Sequence, residues 1–215
     1  QPIATDMHAL GNPWISYSVY LNNSFLPGLL QLMILLVTVF SIGSEMKRAT
    51  SREWLRTADD SIIIAITGKL IPQTIIFFSM GLLYGYLHFP MHNSIWHMIF
   101  AMFLLVVASQ SFAVIIMCFA PSLRIGLSVG GLVGVLSLSI AGFSFPVPAM
   151  YLPFQAISYV LPVRHYFLIY VDQALNGIPL YYSRVHYVAL ILFAVASTPL
   201  LPRLKKALMR QVYVP

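Results

Sequence analysis

Five stretches of the chain are almost continuously apolar, and they decide the first reading. They run over Leu26–Ser44, Leu70–Leu87, Ile95–Phe119, Arg124–Phe143 and Val185–Leu201. A helix crossing the hydrocarbon of a bilayer needs about 20 mainly apolar residues at ~1.5 Å each. A membrane barrel would instead alternate apolar and polar residues over segments of about ten. Runs such as Leu29-Leu30-Gln31-Leu32-Met33-Ile34-Leu35-Leu36 show no such alternation. Only helices and closed barrels satisfy every backbone group within lipid. The pattern therefore predicts an all-α integral membrane protein with five transmembrane helices.

Composition narrows the class further. The chain is 59% hydrophobic and 8% charged, against roughly 45–50% and about 25% in a soluble domain. That excludes an ordinary soluble fold, and it excludes disorder, which needs low hydrophobicity and high charge. Cys118 is the only cysteine, so no disulfide framework exists within the chain. The net charge of +6 does not point to nucleic acid, because the basic residues fall at span boundaries. Lys47, Arg48, Arg52, Arg56, Lys69, Arg124, Arg203, Lys205, Lys206 and Arg210 share one side, and only Arg164 and Arg184 fall on the other. The positive-inside rule makes the first side cytoplasmic. Residues 1–25, including Asp6, then form an external lead-in to a membrane domain over 26–215. Asp172 is external too, and the C-terminus is cytoplasmic. The chain begins at Gln1 without a signal segment, so an external start leads us to expect an upstream part containing at least one more membrane helix.

The segment 45–69 holds the densest charge, reading EMKRATSREWLRTADDS over 45–61. Thr50-Ser51-Arg52-Glu53 fits a capping box and predicts a short helix from Ser51 to about Ala58, with Trp54, Leu55 and Ala58 along one side. Such an elbow either lies on lipid headgroups, anchored by Trp54, or docks a cytoplasmic partner. The balance of four acids and four bases favours docking, since a lipid-binding helix would be more one-sidedly basic. A single helix from Ser61 to Leu87 would be about 40 Å long, so a break at Gly68 or Pro72 is expected. The Ile62-Ile63-Ile64 run would then lie along the inner interface, with Lys69 snorkelling.

No ionisable residue lies near the middle of a span, which disfavours proton coupling. No GxxxxGK[ST] loop occurs either, so transport energy would come from another polypeptide. Gln31, Thr38, Ser41 and Glu45 fall within about 80° of arc on the first span. That stripe either faces a polar pathway or bonds a neighbouring helix. Gly126, Gly130 and Gly134 make two consecutive GxxxG motifs on the fourth span, with Ser137 nearby. They serve packing within the subunit, a subunit interface or a cavity wall. His88, His92 and His97 crowd one external loop without a third ligand at metal spacing, so no metal site is assigned. His165 and His186 are expected at the external interface. The external stretch 144–184 is rich in proline and aromatics. It predicts a re-entrant or interface-lying helix pair over Ala149–Leu161, anchored by Tyr151, Tyr159, Tyr166 and Tyr170.

The chain resembles the membrane subunit of ABC-2 type transporters, in the bacterial subfamily with a large periplasmic domain after the first of six helices. Glu45-Met46-Lys47-Arg48-Ala49-Thr50 is similar to the family's Glu-x-x-x-Gly-Thr elbow, with Ala49 in place of glycine. Gly68-Lys69-Leu70-Ile71-Pro72 resembles its Gly-Lys-x-x-Pro return into the membrane. Gly11-Asn12-Pro13 with Phe25-Leu26-Pro27-Gly28-Leu29 resembles the start of its second helix. Pro146, Met150, Pro153, Gln155, Ile157-Ser158 and Leu161-Pro162 resemble its external re-entrant stretch.

The resemblance implies that the five spans are helices two to six, the first helix and periplasmic domain being missing. It implies a second permease subunit, identical or not, and two cytoplasmic ATPase subunits. Those partners would bind ATP and Mg, and this chain would bind no cofactor. The coupling residues would be Glu45, Arg48, Thr50, Arg52, Glu53, Trp54, Leu55 and Arg56. The helices carrying Gln31, Thr38, Ser41 and Gly126, Gly130, Gly134, Ser137 would line the cavity or subunit interface. The implied function is ATP-driven export of a hydrophobic or amphipathic molecule, a drug or lipid, across the bacterial inner membrane. Two other classes stand beside it: a membrane-embedded lipid-modifying enzyme using the external histidines, and a non-transporting membrane anchor.

Overall fold

The computed structural model describes residues 17–88, 94–143 and 146–210, with side chains from residue 25 onward except at 84 and 86–88. Among these residues the chain is helical and contains no strand. The long helices are α1 (Tyr17–Lys47), α3 (Ile62–His88), α4 (Ile95–Phe119), α5 (Leu123–Ile140) and α8 (Leu180–Val195). Between and after them lie α2 (Ser51–Arg56), α6 (Leu152–Tyr159), α7 (Pro162–Tyr170) and α9 (Leu201–Arg210). Five helical segments are long and apolar enough to cross a membrane, the last running over Leu180–Arg210. The protein is an all-α, multi-pass membrane protein.

The most enclosed helix is α4, whose buried residues recur on all sides from Met98 to Cys118. It packs against α1, α3, α7 and α8. The outer faces of α3 and α8 carry Ile71, Ile75, Ile76, Leu83, Val188 and Leu192, all more than 40% exposed. In water such a surface would be costly; against lipid tails it is matched.

The expected break at Gly68 or Pro72 is absent: α3 runs unbroken through both residues. Proline removes one backbone donor and crowds the carbonyl four residues back. Leaving the helix within lipid would orphan several more backbone groups, so the lesser loss is accepted. Side chains supplement the ladder nearby: Thr74 Oγ1 lies 2.8 Å from both Leu70 O and Gln110 Oε1, and Gln110 Nε2 donates to Leu70 O at 3.2 Å. The surplus length at the start of α3 is used in packing. Ile62, Ala65 and Ile66 are buried in one cluster with Leu55 of α2 and with Leu201, Leu204 and Leu208 of α9. The amphipathic α9, read from sequence only as a basic tail, thus folds back onto the elbow.

Candidate functional site

The elbow begins where α1 ends. Ala49 N donates to Met46 O at 3.3 Å and Thr50 N to Glu45 O at 3.0 Å, the paired bonds of a Schellman cap. That cap requires a left-handed residue, and Ala49 supplies it at φ 59°. Glycine is the usual solution because it has no Cβ to strain, which is why the elbow motif carries glycine there.

The predicted capping box does not form. Thr50 sits at φ −91° and ψ 2°, and its side chain makes no capping bond to α2. An N-cap normally has extended backbone, which the preceding turn does not allow. The Thr50 hydroxyl instead donates to the Glu45 carboxylate.

Glu45 and Lys69 form the centre of the elbow. Lys69 Nζ reaches Glu45 Oε1 at 2.6 Å and Ser41 O at 2.7 Å, and stands 4.5 Å over the Trp54 ring. Lys69 therefore does not snorkel outward; it ties the end of α1, α2 and the start of α3 into one unit. Of the expected coupling residues, Glu45, Thr50 and Trp54 are turned toward this joint. Leu55 is fully buried against α3 and α9, so it cannot touch a docked partner. Arg48, Arg52, Glu53 and Arg56 are the exposed ones. Arg52 is steadied by its Nη2 donating to Met209 O at 3.2 Å.

The second candidate region lies between α1 and α5. Gln31 is 1% exposed. Its Nε2 donates to Ser137 Oγ at 3.0 Å, and its Oε1 accepts from Val163 N, in the first turn of α7, at 2.8 Å. Thr38, also buried, donates to Gln73 Oε1 at 3.1 Å. The carbonyl of Ser41 is taken by Lys69. The polar stripe thus bonds neighbouring helices of the same chain, one of the two roles read for it from sequence.

The glycine stripe packs within the chain as well. A Cβ at Gly126 would meet Val39 Cγ1 at 2.9 Å, and one at Gly134 would meet Leu32 Cδ1 at 2.3 Å. Gly126 and Gly134 let α5 approach α1 within the chain, the packing role that was one of the three read for this stripe. The sequence reading missed their counterparts on α1. A Cβ at Gly43 would meet Leu123 Cα at 3.0 Å, and one at Gly28 would meet Leu138 Cδ2 at 2.4 Å. Their 15-residue separation hides them from a GxxxG search.

At the end opposite the elbow, the helix pair expected over Ala149–Leu161 is built as α6 and α7. Pro146 precedes a short 3-10 turn over Val147–Ala149, Pro153 lies in the first turn of α6, and Pro162 opens α7. Gln155 Nε2 donates to Met150 O at 2.7 Å and closes the turn between the 3-10 segment and α6. Tyr151 and Tyr159 are exposed as expected of anchors, but Tyr166 and Tyr170 are fully buried. The helix α7 sinks into the bundle against α4 and α8.

His165, expected at the interface, is buried with it at 7% exposure. Its Nε2 faces Tyr159 O at 3.0 Å and its Nδ1 faces His186 Nδ1 at 3.4 Å. Burial holds the His165 imidazole below the ordinary histidine range, and the nearby charges of His186 and Arg164 add to this. His92 lies outside the described residues, as does the side chain of His88. No group of three potential metal ligands gathers among the described residues.

Comparison with curated proteins and with solved structures gave no match. A family model described as ABC-2 family transporter protein matches residues 1–201. The match takes in both the elbow and the α6–α7 pair. The chain belongs to the ABC-2 transporter family, the membrane permeases that work with separate ABC ATPase subunits.

Proposed function

We propose that this chain is the membrane subunit of an ATP-driven exporter, moving a hydrophobic or amphipathic molecule outward across the bacterial inner membrane. The observation that carries the reading is the elbow. A charged helix, exposed through Arg48, Arg52, Glu53 and Arg56, is joined to two spanning helices by the Glu45–Lys69 pair and by the leucine cluster beneath it. A push on α2 is therefore delivered to α1 and α3 together rather than absorbed by a loose loop. Two ATPase subunits, holding ATP and Mg, would supply that push to a pair of permease subunits. The absence of charged residues at mid-depth in the spans suits a cargo without strong polarity.

Charge reversal at the exposed pair, Arg52→Glu with Glu53→Arg, should uncouple ATP hydrolysis from transport while the protein still inserts. Transport at the normal rate by that double variant removes the docking role. Gentle purification from native membranes, with mass spectrometry of what accompanies the chain, tests the class itself. A stoichiometric ATPase is the expected companion, and its absence across several detergents would favour a membrane anchor.

A further inference from the structure

Among the described residues Arg164 is the one buried arginine or lysine at the end of the bundle away from the elbow, 8% exposed and seated in α7. A guanidinium cannot shed its proton within a protein, so burial must be compensated by an anion or by a full set of acceptors. Neither is present among the described residues. The only acceptors are neutral, Ser158 Oγ at 3.0 Å and Ala141 O at 3.4 Å, and both take Nη1. Nε is buried and has no hydrogen-bond partner, and no described residue accepts from Nη2. The Tyr159 ring stands 4.7 Å from the guanidinium carbon, which steadies the cation without neutralising it.

The unused donors are not scattered. Nε–H and Nη2–H form one edge of the guanidinium, the parallel fork that takes a phosphate or carboxylate through two bonds. Nη1 is fixed on the opposite side. Gly142 packs against that seated side: at φ +101° a side chain would be strained there, and a Cβ would come within 3.2 Å of Nη1. The helix α6, which brings Ser158 and Tyr159 to the guanidinium, also carries Leu152, Phe154 and Ile157, with Val160 just after it, each at least 45% exposed. A cation held against a helix that exposes apolar side chains matches an amphiphile with an anionic head.

We propose that Arg164, with Ser158 and the Ala141 carbonyl orienting it, is a binding site for the phosphate head of an anionic amphiphile whose chain lies along α6. The site concerns binding and does not rest on the transport reading.

The test is thermal unfolding of the full-length protein in a neutral maltoside detergent, followed with three probes: dodecyl phosphate, inorganic phosphate and dodecyltrimethylammonium. Dodecyl phosphate at about 100 times its dissociation constant should raise the midpoint by roughly 5–10 °C. The cationic probe should not raise it. Arg164→Gln should abolish the rise and Arg164→Lys should keep part of it, since lysine retains the charge but not the fork. If the glutamine variant does not fold, the comparison of Arg164→Lys with the native chain carries the test. Equal stabilisation by inorganic phosphate would make the site one for free anions and overturn the amphiphile. An unchanged response in the Arg164 variants, or none in the native protein, overturns the site altogether.

Discussion

Alanine at Gly134 and alanine at Gly130 should have opposite effects, although both glycines sit on the same face of α5, one turn apart. A Cβ at Gly130 would lie 3.7 Å from Val39 Cγ2, an ordinary contact. There the exchange removes the flexibility of a helical glycine and stabilises by about 1 kcal/mol. A Cβ at Gly134 would lie 2.3 Å from Leu32 Cδ1, 3.1 Å from Leu32 Cβ and 3.2 Å from Leu32 Cα. The Leu32 methyl can rotate away, but its Cα moves only if α1 moves. Overpacking of this kind costs about 1–3 kcal/mol and more than offsets the propensity gain.

The two variants should therefore differ by about 2 kcal/mol, or roughly 4–8 °C in midpoint for a chain of this size. Cys118 supplies the assay: it is the only cysteine and is buried, so a thiol-reactive dye reports its exposure during unfolding in detergent. Equal midpoints, or a lower one for Gly130→Ala, would refute the close α1–α5 approach.

Three further outcomes are expected. Gln31→Leu leaves the Val163 N–H buried without an acceptor and removes the bond to Ser137, costing about 2–4 kcal/mol; the same dye assay reads it, and an unchanged midpoint would count against the network. Ala49→Gly relieves a left-handed alanine and should stabilise by about 1 kcal/mol, while Ala49→Val should lower the midpoint. Stability should fall as pH drops below 6.5: His165 is held neutral by burial, so the unfolded chain takes up its proton first, and stability rises with pH wherever the unfolded state binds more protons. A His165→Asn variant should show a flatter midpoint between pH 7.5 and 5.5.

The spans were legible because lipid leaves the chain few choices: a long apolar run must be a helix. The elbow was legible from its charges and from Trp54, and the structure builds a helix there from Ser51. What escaped the sequence was decided by contacts between distant residues. Thr50 reads as a cap, but a six-residue Schellman turn from Glu45 to Thr50 dictates its backbone first. Arg164 and His165 read as surface residues because polar side chains seldom sink, yet α7 is drawn in by Val163, Tyr166, Ile169 and Tyr170, all buried. The α9 pattern of Leu201, Leu204 and Leu208 was present in the sequence; only its target, the underside of the elbow, was invisible.

The position of α9 has a consequence for how the chain is made. Its leucines cover Leu55, Ile62 and Ile66, residues synthesised some 140 positions earlier. During translation the elbow is therefore assembled without its cover, and an apolar patch stays open until α9 arrives. Chains interrupted before residue 201 would present that patch permanently, marking them for aggregation or proteolysis before they could pair with a partner. The arrival of α9 is thus the step that seals the elbow.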